Sequence, residues 1–492
     1  MPQDTPTRQW KTLDKDLGRI GQLELAAQYV SRPMVGLGVA LAFMVIVGLS
    51  AAILAGGGAT SAIIVAAAVL GAYMAINIGA NDVANNMGPA VGANALTMGG
   101  AIVIAALCES AGALLAGGDV VSTISKGIID PASVADTHVF IWAMMAALTS
   151  SALWVNLATW IGAPVSTTHS VVGGVMGAGI AAAGFAAVNW SSMGAIALSW
   201  VISPVLGGMI AAGFLAFIKT YIIYRDDKIA AARRWVPVLV GIMAGTFAAY
   251  LAIKGLNKVI RIDLGTALLI GLLVGAFSYA AAAPFVRRQS AGMENRNKSL
   301  KALFALPLVI SAGLLSFAHG ANDVANAVGP LAAIVHSVEF GEFAGKVSIP
   351  TWVMVIGAFG ISFGLVLFGP KLIRMVGSQI TKLNPMRAYC VALSAAITVI
   401  VASWLGLPVS STHIAVGAIF GVGFFREWYS DRRRPSNGLS PNGQKLALEE
   451  RRRRKLVRRS HFLTIVAAWV ITVPAAAAMS AVIFLLLNAV FV

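Results

Sequence analysis

The stretch Gly79–Pro89 reads GANDVANNMGP, and 241 residues further on Gly320–Pro330 reads GANDVANAVGP, identical at nine of eleven positions. A second pair follows each copy: Gly162–His169 reads GAPVSTTH and Gly406–His413 reads GLPVSSTH, identical at six of eight positions and offset by 244. Two motifs that recur in the same order at nearly one offset mark an internal duplication. Membrane repeat one is placed at 34–217 and repeat two at 302–425. Each first motif interrupts an apolar run (Ile63–Ile78 or Phe304–Ala318) with Gly, Asn and Asp, which predicts a helix broken within the membrane. Pro164 and Pro408 open segments whose first turns hold Ser166, Thr167 and Thr168, or Ser410, Ser411 and Thr412. Proline is tolerated there because the missing N–H has no helical partner in a first turn. Broken or re-entrant half-helices in matching positions of two halves surround the binding sites of membrane transporters.

Composition agrees with a membrane setting. Of 492 residues, 58% are hydrophobic and 11% charged, outside the range of soluble domains. Stretches such as Val35–Leu54, Met98–Ala116, Val139–Ile161, Leu264–Val286 and Phe462–Leu487 meet or approach the roughly 20 apolar residues of a spanning helix. They are continuously apolar, whereas barrel strands alternate, so the expectation is an all-α polytopic membrane protein of about ten to twelve spans. Residues 1–33 are polar and do not read as a secretory signal, so the first span is expected to be retained. Residues 218–301 form a connector with two spanning helices and basic loops, 426–461 a basic loop, and 462–492 a last helix.

The net charge of +16 is unevenly spread. Residues 426–460 carry twelve Lys/Arg against four Asp/Glu, while 219–234 and 287–301 each carry five, against two and one acidic residues. All three runs lie between apolar spans, which reads as cytoplasmic loops of an inner-membrane protein. Binding of RNA or anionic lipid by the Arg451–Arg459 run is the lesser reading, and no nucleic-acid partner is expected. Cys108 and Cys390 lie in apolar segments without metal spacing and read as packing residues.

Helix N-termini with Ser/Thr hydroxyls offer N–H and O–H donors to an oxyanion such as phosphate or sulfate. Asn and Asp oxygens suit a small hard cation. Asp82 and Asp323 carry most weight, because an ionised carboxylate at membrane depth costs at least about 2.5–3.5 kcal/mol and is usually functional. Asn81 with Asn85, and Asn322 with Asn326, stand four residues apart, so each pair can face one site if the segment is helical. Asn86 has no counterpart, since Ala327 replaces it. Glu109 is a candidate for cation coupling or proton exchange, or a structural partner of Lys126. His169, His413 and His319 are either packing residues or proton carriers. No nucleotide-binding loop, zinc-protease motif or Cys/His cluster is found, so no enzyme, ATP-driven pump or cofactor is expected.

The duplicated GANDVAN blocks together with PVSTTH and PVSSTH resemble the inorganic phosphate transporter (PiT) family across nearly the whole membrane portion. That resemblance implies an inverted-repeat, cation-coupled phosphate symporter and a homodimer. It places the site on Asn81, Asp82, Asn85, Ser166, Thr167, Thr168, Asn322, Asp323, Asn326, Ser410, Ser411 and Thr412, with phosphate against the hydroxyl turns and the cation on the Asn/Asp members. The complete GANDVAN form, with Glu109 and the Lys126–Ile129 segment, is similar to sodium-coupled members and favours Na+ over H+. Sulfate or another tetrahedral oxyanion is the alternative cargo.

Overall fold

Fifteen α-helices make up most of the computed structural model, which describes residues 34–57, 60–130, 133–134, 136–163, 165–255, 260–341, 349–379, 383–433 and 459–491. In chain order they are α1 (Met34–Leu54), α2 (Ser61–Gly92), α3 (Met98–Ala116), α4 (Gly118–Lys126), α5 (Thr137–Ile161), α6 (Thr167–Ala183), α7 (Trp190–Ile218) and α8 (Lys228–Lys254). There follow α9 (Leu264–Gln289), α10 (Asn297–Leu303), α11 (Ala305–Phe340), α12 (Thr351–Gln379), α13 (Pro385–Trp404), α14 (Ser411–Arg433) and α15 (Arg459–Phe491). All except α4, α6, α10 and α14 are long and apolar enough to cross a membrane, eleven among the described residues. Apart from one isolated bridge between Ile129 and Val188, no β-structure occurs among the described residues. The chain is an all-α, multi-pass membrane protein.

Both GANDVAN blocks lie inside unbroken helices, α2 and α11, which corrects the break expected there. An intact helix satisfies its own backbone, so no cavity is needed to hydrate it. The glycines serve a different purpose. A Cβ on Gly79 would overlap the carbonyl of Ile361 in α12, and one on Gly364 would overlap that of Ile76 in α2. Gly320 meets Glu109 of α3 in the same way, and Gly112 meets Phe317 of α11. The two crossings, α2 with α12 and α11 with α3, therefore run backbone against backbone, as small-residue contacts between membrane helices allow.

The second motifs do break the chain. After α5, Gly162 takes φ 78°, and after α13, Gly406 takes φ 69°, a left-handed conformation that glycine adopts without a Cβ penalty. The chain then re-enters as α6 or α14. Each resulting hairpin is tied to the long helix of its own repeat. Asn81 Nδ2 donates to Thr159 Oγ1 (3.0 Å) and the Ala163 carbonyl (3.4 Å), while the Asn322 amide meets Ser403 Oγ at 3.0 Å. The two tips touch directly, with Thr168 Oγ1 donating to the Val409 carbonyl (3.0 Å). Gly173 and Gly177 admit α15 at Val473 and Ala477, and Gly417 and Gly421 admit α7 at Pro204 and Gly208.

The connector helices α8 and α9 interlock through Gly241, Gly245, Gly271 and Gly275. Lys254 at the end of α8 pairs with Asp119 of α4 at 2.5 Å. Helix α14 continues through Arg433, past position 426 where the basic loop was placed, because its Tyr429 stacks on Tyr224 (5.7 Å between centroids) and extends the packing by a turn. Positions 434–458, with most of the Arg451–Arg459 run, lie outside the described residues.

Replacing Gly320 by Ala is expected to cost about 1–3 kcal/mol through overpacking, seen as a melting temperature lowered by several degrees in detergent. Gly99→Ala, where a Cβ meets nothing within 4 Å, should melt as wild type. Equal melting of both variants would contradict the close crossing.

Candidate functional site

Where the hairpin tips press against α2 and α11, the interior holds an almost fully buried charged centre. Asp82 sits in the middle of α2 and Asp323 in the equivalent turn of α11, both at 1% exposure or less. Oxygen and nitrogen atoms of Asp82, His319 and Asp323 all lie within 4.8 Å of one another. At an effective dielectric of 20, two carboxylate charges that close repel by about 3.5 kcal/mol, so they need a proton or cation between or beside them.

The hydroxyls of the second motifs meet this need in part. Thr167 Oγ1 donates to Asp82 Oδ2 (2.8 Å), Thr412 Oγ1 to Asp82 Oδ1 (3.1 Å) and Ser411 Oγ to Asp323 Oδ2 (3.1 Å). Asp82 thus takes one donor from each hairpin. Asparagines orient those hydroxyls across the repeats: Asn85 Nδ2 donates to Thr412 Oγ1 (2.8 Å), and Asn326 Nδ2 to Thr168 Oγ1 (3.2 Å) and Thr167 Oγ1 (3.3 Å). Each amide fixes which lone pair of its hydroxyl is occupied and so directs the remaining O–H toward an acceptor.

The candidate residues fall into four groups. Asp82, Asn85, Thr167, Asp323, Asn326, Ser411 and Thr412 form the centre, with Thr168 at the contact between tips. Ser166 and Ser410 are helix N-caps, their Oγ accepting from the backbone N–H of His169 (3.1 Å) and His413 (3.3 Å). Asn81 and Asn322 brace the hairpin tips. The side-chain oxygen of Asn81 is buried without a hydrogen-bond partner, and turning the Asn322 amide by 180° brings its nitrogen to 3.1 Å from Asp323 Oδ1. His169 and His413 are stacked in an aromatic cluster: their rings meet edge-on at 4.3 Å, with Trp200 3.8 Å from His169 and Trp469 3.6 Å from His413.

Glu109 lies in the centre. Its Oε1 accepts from Asn86 Nδ2 (2.8 Å) and stands 3.3 Å from His319 Nδ1. The side chain of Lys126, its other proposed partner, is outside the described residues. On its far edge His319 Nε2 is 3.0 Å from Asp323 Oδ2 and 3.8 Å from Asp82 Oδ2. His319 is the residue whose weight the motif analysis missed. Only its position, directly before the repeated glycine, signals it, and its counterpart in repeat one is Ile78. Asn86, Glu109 and His319 form a chain present once, where the rest of the centre is present twice.

Eleven apolar helices around such a centre describe a polytopic membrane protein with a closed polar interior. The chain belongs to the Phosphate transporter family, whose sequence profile matches residues 78–480. It is 50% identical to a Helicobacter pylori protein named "Putative phosphate permease" over 422 residues, 85% of this chain and 79% of that one. A similarly named protein of Pyrococcus abyssi is 36% identical over 85% of this chain and 96% of its own. A solved structure titled "The sodium-dependent phosphate transporter" superposes with a TM-score of 0.78 at 34% identity, covering 87% of this chain and all of that one.

Thr412→Val should destabilise more than Ser410→Ala. The first leaves the Asn85 amide and an Asp82 oxygen buried without a partner, at about 1–3 kcal/mol for each group, while losing a cap costs about 1 kcal/mol. Thermal melts of both variants in detergent check the order, and equal losses would mean that Thr412 relays nothing.

Proposed function

We propose that this chain carries inorganic phosphate together with a cation, sodium in preference to a proton, across the cytoplasmic membrane. The observation that carries the proposal is the charge count of the centre. Three acidic side chains (Asp82, Glu109 and Asp323) face one imidazole (His319), so the centre holds more acids than the one base beside them can balance. A phosphate anion entering there adds negative charge. Bound cations restore the balance, and an anion that cannot bind without them is coupled to their movement.

The hydroxyls of Thr167, Ser411 and Thr412 donate to the carboxylates. Phosphate oxygens, brought to the first turns of α6 and α14, take those donors over and add the partial positive charge of the helix ends. Asp82 and Asp323, released, turn to the cation and to the acidic O–H of phosphate. Sulfate, which lacks that O–H at neutral pH, offers these carboxylates nothing to accept, and this favours phosphate. Ser166, Thr168 and Ser410 hold the turns in place. Asn81, Asn85, Asn322 and Asn326 supply oxygen atoms of the hard kind that sodium prefers, and the uncommitted oxygen of Asn81 is the first of these.

Equivalent contacts in the two halves, Asn81 with Thr159 and Asn322 with Ser403, or Asn85 with Thr412 and Asn326 with Thr168, support two inverted repeats forming one carrier. The helices α8 and α9 stand beside it, the basic runs face the cytoplasm, and the unit works as a homodimer. Catalysis and nucleic-acid binding have no part in this reading.

Reconstituted in liposomes, the chain should accumulate labelled phosphate under an inward sodium gradient and much less under a proton gradient alone. Asp82→Asn and Asp323→Asn should each abolish accumulation while leaving folded protein, and Thr412→Ala should mainly raise KM by removing an anion donor. Accumulation driven by protons only would move the coupling to the carboxylates and His319, and normal uptake by either aspartate variant would overturn the assignment.

A further inference from the structure

Behind the hydroxyl turns, on the side away from the carboxylates, a cavity of about 1020 Å³ opens between α7, α14 and α15. His169 and His413, next in sequence to Thr168 and Thr412, form its inner end, flanked by Trp200 and Trp469. Val205, Met209 and Val470 form its outer walls and are 57%, 61% and 68% exposed. Its lining is almost wholly apolar and its volume is at the top of the range for small-molecule pockets, about 300–1,000 Å³. The ring nitrogens of His169 and His413 and the indole N–H of Trp469 are the polar atoms at its inner end.

The length of the cavity identifies what it suits. From His413 to Trp428 the groove follows α14 for about 22 Å at 1.5 Å per residue. One leaflet of a bilayer, from midplane through headgroup, measures about 20–22 Å. At its outer end the groove meets a basic, aromatic collar. Lys219 Nζ lies 4.3 Å from the Tyr429 ring centroid and 5.4 Å from that of Phe425, and Tyr224 stacks on Tyr429 at 5.7 Å. Arg426, with Glu427 next to it, stands in α14 between Phe425 and Trp428, both of which line the groove. Trp428, half exposed, belongs at a headgroup boundary.

We infer that this groove is a binding site for one anionic phospholipid, its acyl chain lying against Trp200, Met209 and Val470 with its end at the His169–His413 pair, and its phosphate at Lys219 and Arg426. The site is separate from the carboxylate centre and does not depend on the cargo assigned to that centre. A lipid seated there backs the first turns of α6 and α14, the segments that carry Thr167, Ser411 and Thr412.

The test is native mass spectrometry of the full chain in mild detergent, titrated with phosphatidylglycerol or phosphatidylcholine. Phosphatidylglycerol should be retained about 30-fold more tightly, about fivefold for each of two basic residues near an anionic headgroup, and Arg426→Gln should cut that preference to about fivefold. Met209→Trp and Val470→Trp, which fill the groove from exposed positions, should remove the tight molecule. Leu268→Trp on the exposed face of α9 should retain it. Equal retention of both lipids by the wild-type chain would overturn the inference, as would tight retention by both groove-filling variants. So would disulfide capture of Met209→Cys between two chains in the membrane, which would show a second copy covering the groove.

Discussion

Asp82 and Asp323 are two carboxylates brought within 4.8 Å of a shared imidazole and closed off from solvent in an apolar bundle. A single ionised side chain in such surroundings is expensive, and two that repel are more so. Much of the surrounding architecture answers that constraint. Two hairpins turn back inside the protein so that their hydroxyls reach the carboxylates, and amides from the opposite repeat orient those hydroxyls. His319 stands between the acidic groups with Glu109 behind it. A cation entering such a centre would relieve repulsion between its acidic groups.

The glycines make this centre possible by geometry. With α2 against α12 and α11 against α3 at backbone distance, the polar side chains on the remaining faces of α2 and α11 turn inward toward each other and toward the hairpin tips. The same economy recurs where α6 meets α15 and α14 meets α7. Van der Waals contact between backbones replaces a hydrophobic effect that lipid surroundings do not provide.

The duplication makes much of this legible in the sequence. Paired motifs identify Asp82 with Asp323, and Thr167 with Ser411, as members of one site, and the apolar runs identify the helical class. Glycine is ambiguous, since it marks both helix breaks and close crossings. Without knowledge of the partner helix, Gly79 and Gly320 read as breaks, whereas Gly162 and Gly406 are true turns with positive φ. The serines are ambiguous too: Ser166 and Ser410 have the repeat pattern of ligands and the bonding of caps. His169 and His413 recur in both motifs, yet they belong to an aromatic cluster on the opposite side of the turn. The Asn86–Glu109–His319 chain is invisible to a repeat search for the opposite reason, because it occurs once. Its members lie 23 and 210 residues apart, and folding alone brings them together.

The central claim is that anion and cation occupy one centre, each needed for the other. Equilibrium binding of labelled phosphate to the purified chain, repeated over a series of sodium concentrations, tests it most directly. One phosphate per chain, with an affinity that rises steeply with sodium and is lost in Asp82→Asn, is the result this account predicts. Phosphate binding of unchanged affinity with and without sodium would contradict it.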